Sequence, residues 1–180
     1  TAAYASIANG GTYIRPRFYT KILDHNGKVL IDNQPETRQV LKDSTAFLLT
    51  DAMTDVMKGN RKFIRPGVSP ISATGTAAAL NNMTTAGKSG TTTNNVDVWF
   101  EGFTPYYTAG IWGGCDSNQK LKDGSVNNGG TSFHKAIWRK IMNRIHEGLS
   151  DPGFVIPDSI ETAQICRKSG KLAIPGVCDH

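Results

Sequence analysis

Three strand-like runs follow one another at residues 84–93, 96–104 and 107–115, each separated from the next by only two residues. Val96, Val98, Trp99, Phe100, Phe103, Thr108, Ile111 and Trp112 give them the β-branched and aromatic content that a pleated surface favours. Asn94-Asn95 and Pro105-Tyr106 supply the turns. Connections this short join antiparallel neighbours, because parallel strands need a long crossover. Two amphipathic helices flank the strands. The spacing predicts one over 44–58, with Leu49, Ala52, Met53 and Val56 on its apolar stripe, Asp43 or Ser44 as its cap and Gly59 as its stop. It predicts another over 131–147, with Trp138, Ile141, Met142 and Ile145 on one face and Gly148 after it. The chain therefore reads as α+β: an antiparallel sheet with helices packed on its faces. Trp99, Phe103 and Trp112 are expected to pack under those helices, and Cys115 to be a small packed residue at a strand end.

The first of these runs holds Lys88-Ser89-Gly90-Thr91. Successive side chains of a strand point to opposite faces, so Lys88 and Gly90 share one face and Ser89 and Thr91 the other. A cation, two hydroxyls and a residue without a side chain stand together, and a ligand can come close to the backbone over Gly90. Such an edge suits an extended peptide with a free carboxylate.

The motif has neighbours in sequence that sharpen it. Upstream stands Ala5-Ser6-Ile7-Ala8-Asn9-Gly10-Gly11-Thr12-Tyr13-Ile14-Arg15-Pro16. Downstream stand Asp97-Val98-Trp99-Phe100-Glu101-Gly102-Phe103-Thr104-Pro105 and Ala109-Gly110-Ile111-Trp112-Gly113-Gly114. In this order and spacing they resemble the C-terminal half of the transpeptidase domain of class A penicillin-binding proteins, over nearly the whole chain. The resemblance implies the serine β-lactamase and penicillin-binding fold, here in part, and a serine acyltransferase that cross-links peptidoglycan stem peptides and is an antibiotic target. It implies catalytic roles for Lys88, which raises local positive potential and assists proton transfer, and for Thr91, whose backbone N–H serves an oxyanion hole. Ser89, Gly90 and Thr91 would bind the substrate carboxylate. Stem peptides and β-lactams would be the partners, with no cofactor and no metal. The parent would be membrane-anchored on the extracytoplasmic face, with a glycosyltransferase domain ahead of this one.

The nucleophile motif S-x-x-K and the S-x-N motif should precede the lysine strand, and neither occurs among residues 1–87. Ser117-Asn118-Gln119-Lys120, Ser125-Val126-Asn127 and Ser132-Phe133-His134-Lys135 imitate them after the strand, in the wrong order. Ser132 reads as a helix cap. The chain is thus expected to be half an active site. Its partner would be the missing N-terminal half of the domain, and any membrane contact would come only through absent N-terminal regions. Thr1-Ala2-Ala3-Tyr4 reads as the middle of a helix, in keeping with a fragment. Residues 1–148 are assigned to the transpeptidase half and 149–180 to a loosely structured C-terminal extension. A non-catalytic cell-wall peptide-binding module, or a β-lactamase or D,D-carboxypeptidase of the same fold, would share the motif.

The remaining features are local. Residues 4–9 read as a helix end stopped by Gly10-Gly11, 12–23 as β-rich, and Asp24-His25-Asn26-Gly27 as a hairpin turn. Residues 60–83 are irregular and, by the resemblance, border the cleft. His25 is read as a turn residue, and His134 and His146 as surface or half-buried. Asp97 is read as orienting the nearby turn or pairing with a base. The net charge of +5 is spread along the chain, without zinc-ligand spacing or an RNA-binding aromatic motif, so no nucleic-acid partner is expected. Cys166 and Cys178 are either two thiols or a disulfide, which would be worth roughly 3 kcal/mol in the chain-entropy picture. No run approaches the length of a membrane span.

Overall fold

The computed structural model describes residues 1–58, 72–117, 119–121, 132–166 and 169–177. Helix α1 (Ala2–Ala8) ends where Gly10 and Gly11 take φ of 59° and 87°, and the Gly11 N–H returns to the Ser6 carbonyl at 2.8 Å. Any Cβ at Gly11 would strike the Leu41 carbonyl. The β-rich stretch that follows splits in two, because Pro16 removes a ladder donor. Strand β1 (Thr12–Ile14) pairs antiparallel with β4 (Thr37–Gln39), and β2 (Lys21–Leu23) pairs with β3 (Val29–Asp32). His25 sits in the turn between β2 and β3, where Asp24 Oδ1 accepts the Asn26 and Lys28 N–H groups and Gly27 alone takes positive φ.

Helix α2 (Asp43–Lys58) buries Ala46, Thr50, Met53, Thr54 and Met57. Leu49 and Ala52 of the expected stripe are exposed. The face that turns inward carries Ala46, Thr50 and Thr54 beside Met53 and Met57, and the helix lies against β5 (Ala86–Thr91). Strand β5 pairs with β6 (Val98–Phe103), and β6 with β7 (Thr108–Gly113), so β6 is the central strand of three. Asn94 and Asn95 take φ of 64° and 55° at the first turn. Asp97 frames that turn through its backbone, its N–H donating to Thr92 Oγ1 at 2.8 Å, while its carboxylate accepts the Trp112 indole N–H at 3.0 Å.

Each face of the sheet carries its own core. Ser89, Phe100 and Ile111 lie in register on one face, and Ala86, Phe103 and Thr108 on the other. Over the first face lies α3 (Phe133–Ile145), whose buried residues His134, Trp138 and Met142 recur every four positions. Trp138 meets Phe100 edge-on, with ring centres 5.2 Å apart, and its indole N–H reaches the Ala109 carbonyl at 2.9 Å. Met57 and Ala78 complete that cluster. Over the second face Met53, Ala86 and Phe103 gather Tyr4, Ile7 and Ala8 of α1 and Phe154.

Several expected burials are corrected. Trp99 and Trp112 are a cross-strand pair 45% and 47% exposed, beyond the reach of α1. Ile141 and Ile145 face outward, because the groove selects the 134–138–142 row. Cys115 is exposed, and Ser132 makes no side-chain cap bond. His134 and His146 are both buried. His146 Nδ1 faces the Met142 carbonyl at 2.6 Å and Nε2 faces Thr104 Oγ1 at 2.8 Å. A proton on Nδ1 satisfies both contacts, with Thr104 donating to Nε2 and accepting the Tyr106 and Tyr107 N–H groups at 3.1 Å. This network ties the β6–β7 turn to the end of α3.

Among its described residues the segment after Gly148 forms one bridge, Ile165 with Leu172, yet it is docked on the body. Asp151 Oδ2 accepts the Thr84 N–H at 2.8 Å and the Thr84 hydroxyl at 2.6 Å. Phe154 packs edge-on against Phe103 at 5.6 Å, and Ser159 donates to Asp43. Cys166 is buried, and its pairing with Cys178 lies outside the described residues. No described helix is long and apolar enough to cross a membrane.

Two outcomes follow for stability. A Cβ at Gly102 would stand 2.7 Å from both Phe100 and Trp138. Gly102→Ala should therefore overpack the α3 face and cost about 1–3 kcal/mol, read as a lower melting temperature. Burial alone would raise the Asp151 carboxyl, but the Thr84 hydroxyl and the Gly153 and Thr84 N–H groups hold it below its ordinary value. A depressed folded-state pKa stabilises above the unfolded value and loses that contribution as pH falls through the folded one. Asp151→Ala should cost about 1 kcal/mol at neutral pH, the low end because solvent reaches this carboxylate. The gap in melting temperature from wild type should close as the medium is acidified through and below the carboxylate range.

Candidate functional site

Among the described residues β5 has a strand partner on one side only, so Lys88-Ser89-Gly90-Thr91 lies on a sheet edge. Lys88 is opposite Glu101 and Gly90 opposite Trp99 on one face, with Ser89 opposite Phe100 and Thr91 opposite Val98 on the other. Lys88 is exposed, and its ammonium donates to the Ser89 carbonyl at 2.7 Å. Thr91 is exposed, while Ser89 is half-buried and its hydroxyl donates to Thr74 Oγ1 at 3.2 Å.

Gly90 differs from the other glycines of the sheet. At Gly87 an added Cβ would stand 2.7 Å from Phe100, and at Gly113 it would strike Phe133. At Gly110 it would strike the Glu101 carboxylate. At Gly90 it would meet only Trp99 Cβ at 3.5 Å, an ordinary contact, and φ there is not positive. Packing among the described residues explains the first three glycines and does not explain Gly90.

Thr74, Lys135 and Glu101 complete the surroundings, and the sequence motif includes none of them. Thr74 is carried by a segment seated on α2, where the Gly75 N–H reaches the Val56 carbonyl at 2.9 Å. Lys135, in the first turn of α3, donates from its ammonium to the Thr74 carbonyl at 2.9 Å. Its pKa is lowered, first by burial and then by the charge of Lys88. His134 beside it is held down to about 4, first by burial and then by Lys135. The Trp99 backbone offsets this in part, though neither ring nitrogen has a hydrogen-bond partner among the described residues. Glu101 is buried opposite Lys88. Its Oε1 accepts the Thr1 hydroxyl at 3.0 Å, and Oε2 has no partner among the described residues. Counting the antiparallel register outward from Asn94-Asn95 would have found Glu101. Lys135 was visible only as the last residue of a misplaced S-x-x-K.

Neither Lys88 nor Lys135 has a carboxylate within 4.0 Å among the described residues. The edge can therefore offer positive charge and hydroxyl donors to an anion. Of the three serines that imitate a nucleophile motif, Ser117 is exposed, Ser132 is half-buried ahead of α3, and Ser125 lies outside the described residues. No described group of three or more His, Cys, Asp or Glu residues could hold a metal ion.

Comparison with known proteins gives this geometry a family. The model described as penicillin binding protein transpeptidase domain matches residues 1–143. Penicillin-binding protein 1A of Clostridium botulinum is 35% identical over 172 residues, which is 94% of this chain and 18% of that protein. Penicillin-binding protein 2D of Bacillus subtilis is 33% identical over 97% of this chain and 24% of its own length. The chain thus spans about a fifth of such relatives. Among solved structures, penicillin-binding protein 1A of Haemophilus influenzae superposes with a TM-score of 0.80 over 97% of this chain and 30% of that one, at 22% identity. PonA1 of Mycobacterium tuberculosis, solved in complex with penicillin V, has a TM-score of 0.66 at 26% identity over 88% of this chain and 40% of its own. With an edge strand that carries Lys88-Ser89-Gly90-Thr91 and a family match over four-fifths of its length, the chain belongs to the penicillin-binding protein transpeptidase family.

Proposed function

We propose that the chain forms one wall of a D,D-transpeptidase active site and that a serine from a longer parent protein supplies the nucleophile. In this reading residues 1–148 are the second half of the domain and 149–180 an extension. The parent acts at the extracytoplasmic face of the cell membrane on peptidoglycan stem peptides, with a glycosyltransferase domain ahead of this one. The observation that carries the proposal is the state of the β5 edge. Lys88 lacks an acidic partner among the described residues, and none of them stands close enough to Gly90 to require glycine there.

The chemistry follows from those groups. The serine oxygen attacks the D-Ala–D-Ala carbonyl, and its bond to that carbon forms as the terminal D-Ala leaves with a proton. A neighbouring amine then displaces the serine oxygen and closes the cross-link. The Lys88 ammonium stabilises negative charge near the serine and keeps a proton available at Nζ. Ser89 and Thr91 hydroxyls donate to the terminal carboxylate, and the Thr91 N–H meets the developing oxyanion. A β-lactam presents the same carboxylate and a strained amide, so it acylates the same serine. PonA1, solved with penicillin V, supports that ligand class.

In the full-length protein, Lys88→Ala should slow penicillin acylation by orders of magnitude with little change in melting temperature, because charge in a water-poor site has large leverage. Wild-type acylation would remove Lys88 from the mechanism. Thr91→Val keeps shape and β propensity but deletes one donor. Its second-order acylation rate should fall roughly tenfold or more, since a hydrogen bond to a charged group is worth about 1.5–3 kcal/mol. Unaltered acylation by Thr91→Val would end the carboxylate assignment of this strand.

A further inference from the structure

Lys135 is the second cation at the edge of β5, and nothing in the sequence motif requires it. It reaches the site from α3, forty-seven positions beyond Lys88, by way of Thr74. Thr74 is held on two sides: its carbonyl accepts from Lys135 Nζ at 2.9 Å, and its hydroxyl accepts from Ser89 at 3.2 Å. One residue therefore links the second ammonium to the hydroxyl assigned to the substrate carboxylate. Lys135 has no acid partner among the described residues, and the charge of Lys88 adds to burial in disfavouring its ammonium form. The nearest acid in register, Glu101, is buried and its Oε1 is engaged by Thr1. An arrangement of like charges that is unfavourable when empty becomes favourable when an anion lies between them.

We propose that Lys135 is a specificity-determining residue of this site, which recognises the carboxylate of the donor peptide or β-lactam together with Ser89, while Lys88 serves the reacting centre. This rests on the transpeptidase reading and adds a division of labour to it. Lys88 acts on proton transfer and therefore on every acylating ligand. Lys135 acts only on ligands that carry the negative charge.

The test uses the full-length protein with benzylpenicillin and its methyl ester, which has the same ring and no charge. Lys135→Met should lower the second-order acylation rate for the acid about tenfold and leave the ester within about twofold, and Lys135→Arg should restore most of the loss. Lys88→Ala should slow both ligands. Equal losses for acid and ester in Lys135→Met would make the residue a structural tie to Thr74 and overturn the proposal. So would an unchanged acid rate. If Lys88→Ala and Thr91→Val are also without effect, the transpeptidase reading has failed; if they act while Lys135→Met does not, only the role of Lys135 has. Should Lys135→Met not fold, salt titration of the wild type decides. Acylation by the acid should weaken with ionic strength more steeply than by the ester in wild type, and the difference should persist in Lys135→Arg. Parallel salt curves would overturn the assignment.

Discussion

The central strand β6 has to serve two cores at once, and this sets the position of everything the chain offers to a ligand. Phe100 points into the cluster under α3 and Phe103 into the cluster under α1, because residues three apart on a strand face opposite sides. A slip of one residue between β5 and β6 would turn both rings to the wrong side. Ala86 and Gly87 at the buried start of β5 are locked by the same pairing, Gly87 leaving room for the Phe100 ring. The exposed half of β5, from Lys88 onward, is then projected from a rigid base.

The neighbouring elements reinforce that base from both ends. Asp151 holds Thr84 just ahead of β5, and Phe154 covers Phe103 on the α1 face. At the other end the Asn94-Asn95 turn and Asp97 fix the return of the chain. Thr104 and His146 join the far turn to α3. The C-terminal segment thus has little regular structure of its own and still contributes to the order of the motif strand.

Electrostatically the edge is unusual for its sheet. Charges at surfaces are commonly solvated or paired at little net gain. Here Lys88 donates to the Ser89 carbonyl and Lys135 to the Thr74 carbonyl, Ser89 and Thr74 are joined through their hydroxyls, and both lysines stay without acid partners among the described residues. The acid in register with Lys88 is withdrawn into the interior. Positive charge is concentrated where the strand is open and Gly90 leaves the backbone accessible.

Local periodicity and turn chemistry were legible in the residues themselves. The three antiparallel strands, the hairpin at Gly27, the stop at Gly10-Gly11 and the extents of the two main helices follow from short-range rules that act within a few residues. The motif strand and its family were legible for the same reason, since Lys88-Ser89-Gly90-Thr91 is contiguous. What periodicity could not decide was which face each helix turns inward. On α2 the inward row contains Ala46 and Thr50 in place of Leu49 and Ala52, because the shape of the sheet selects it. On α3 the same selection buries His134 and His146 and leaves Ile141 and Ile145 outside. Trp99 and Trp112 stay half exposed because no described helix extends over that end of the sheet. Thr74, Glu101 and Lys135 join the site only through long-range packing, and no rule confined to neighbouring residues can bring Lys135 to Lys88. The sequence alone determined the strand that carries Lys88-Ser89-Gly90-Thr91; the tertiary structure decided which distant charges stand beside it.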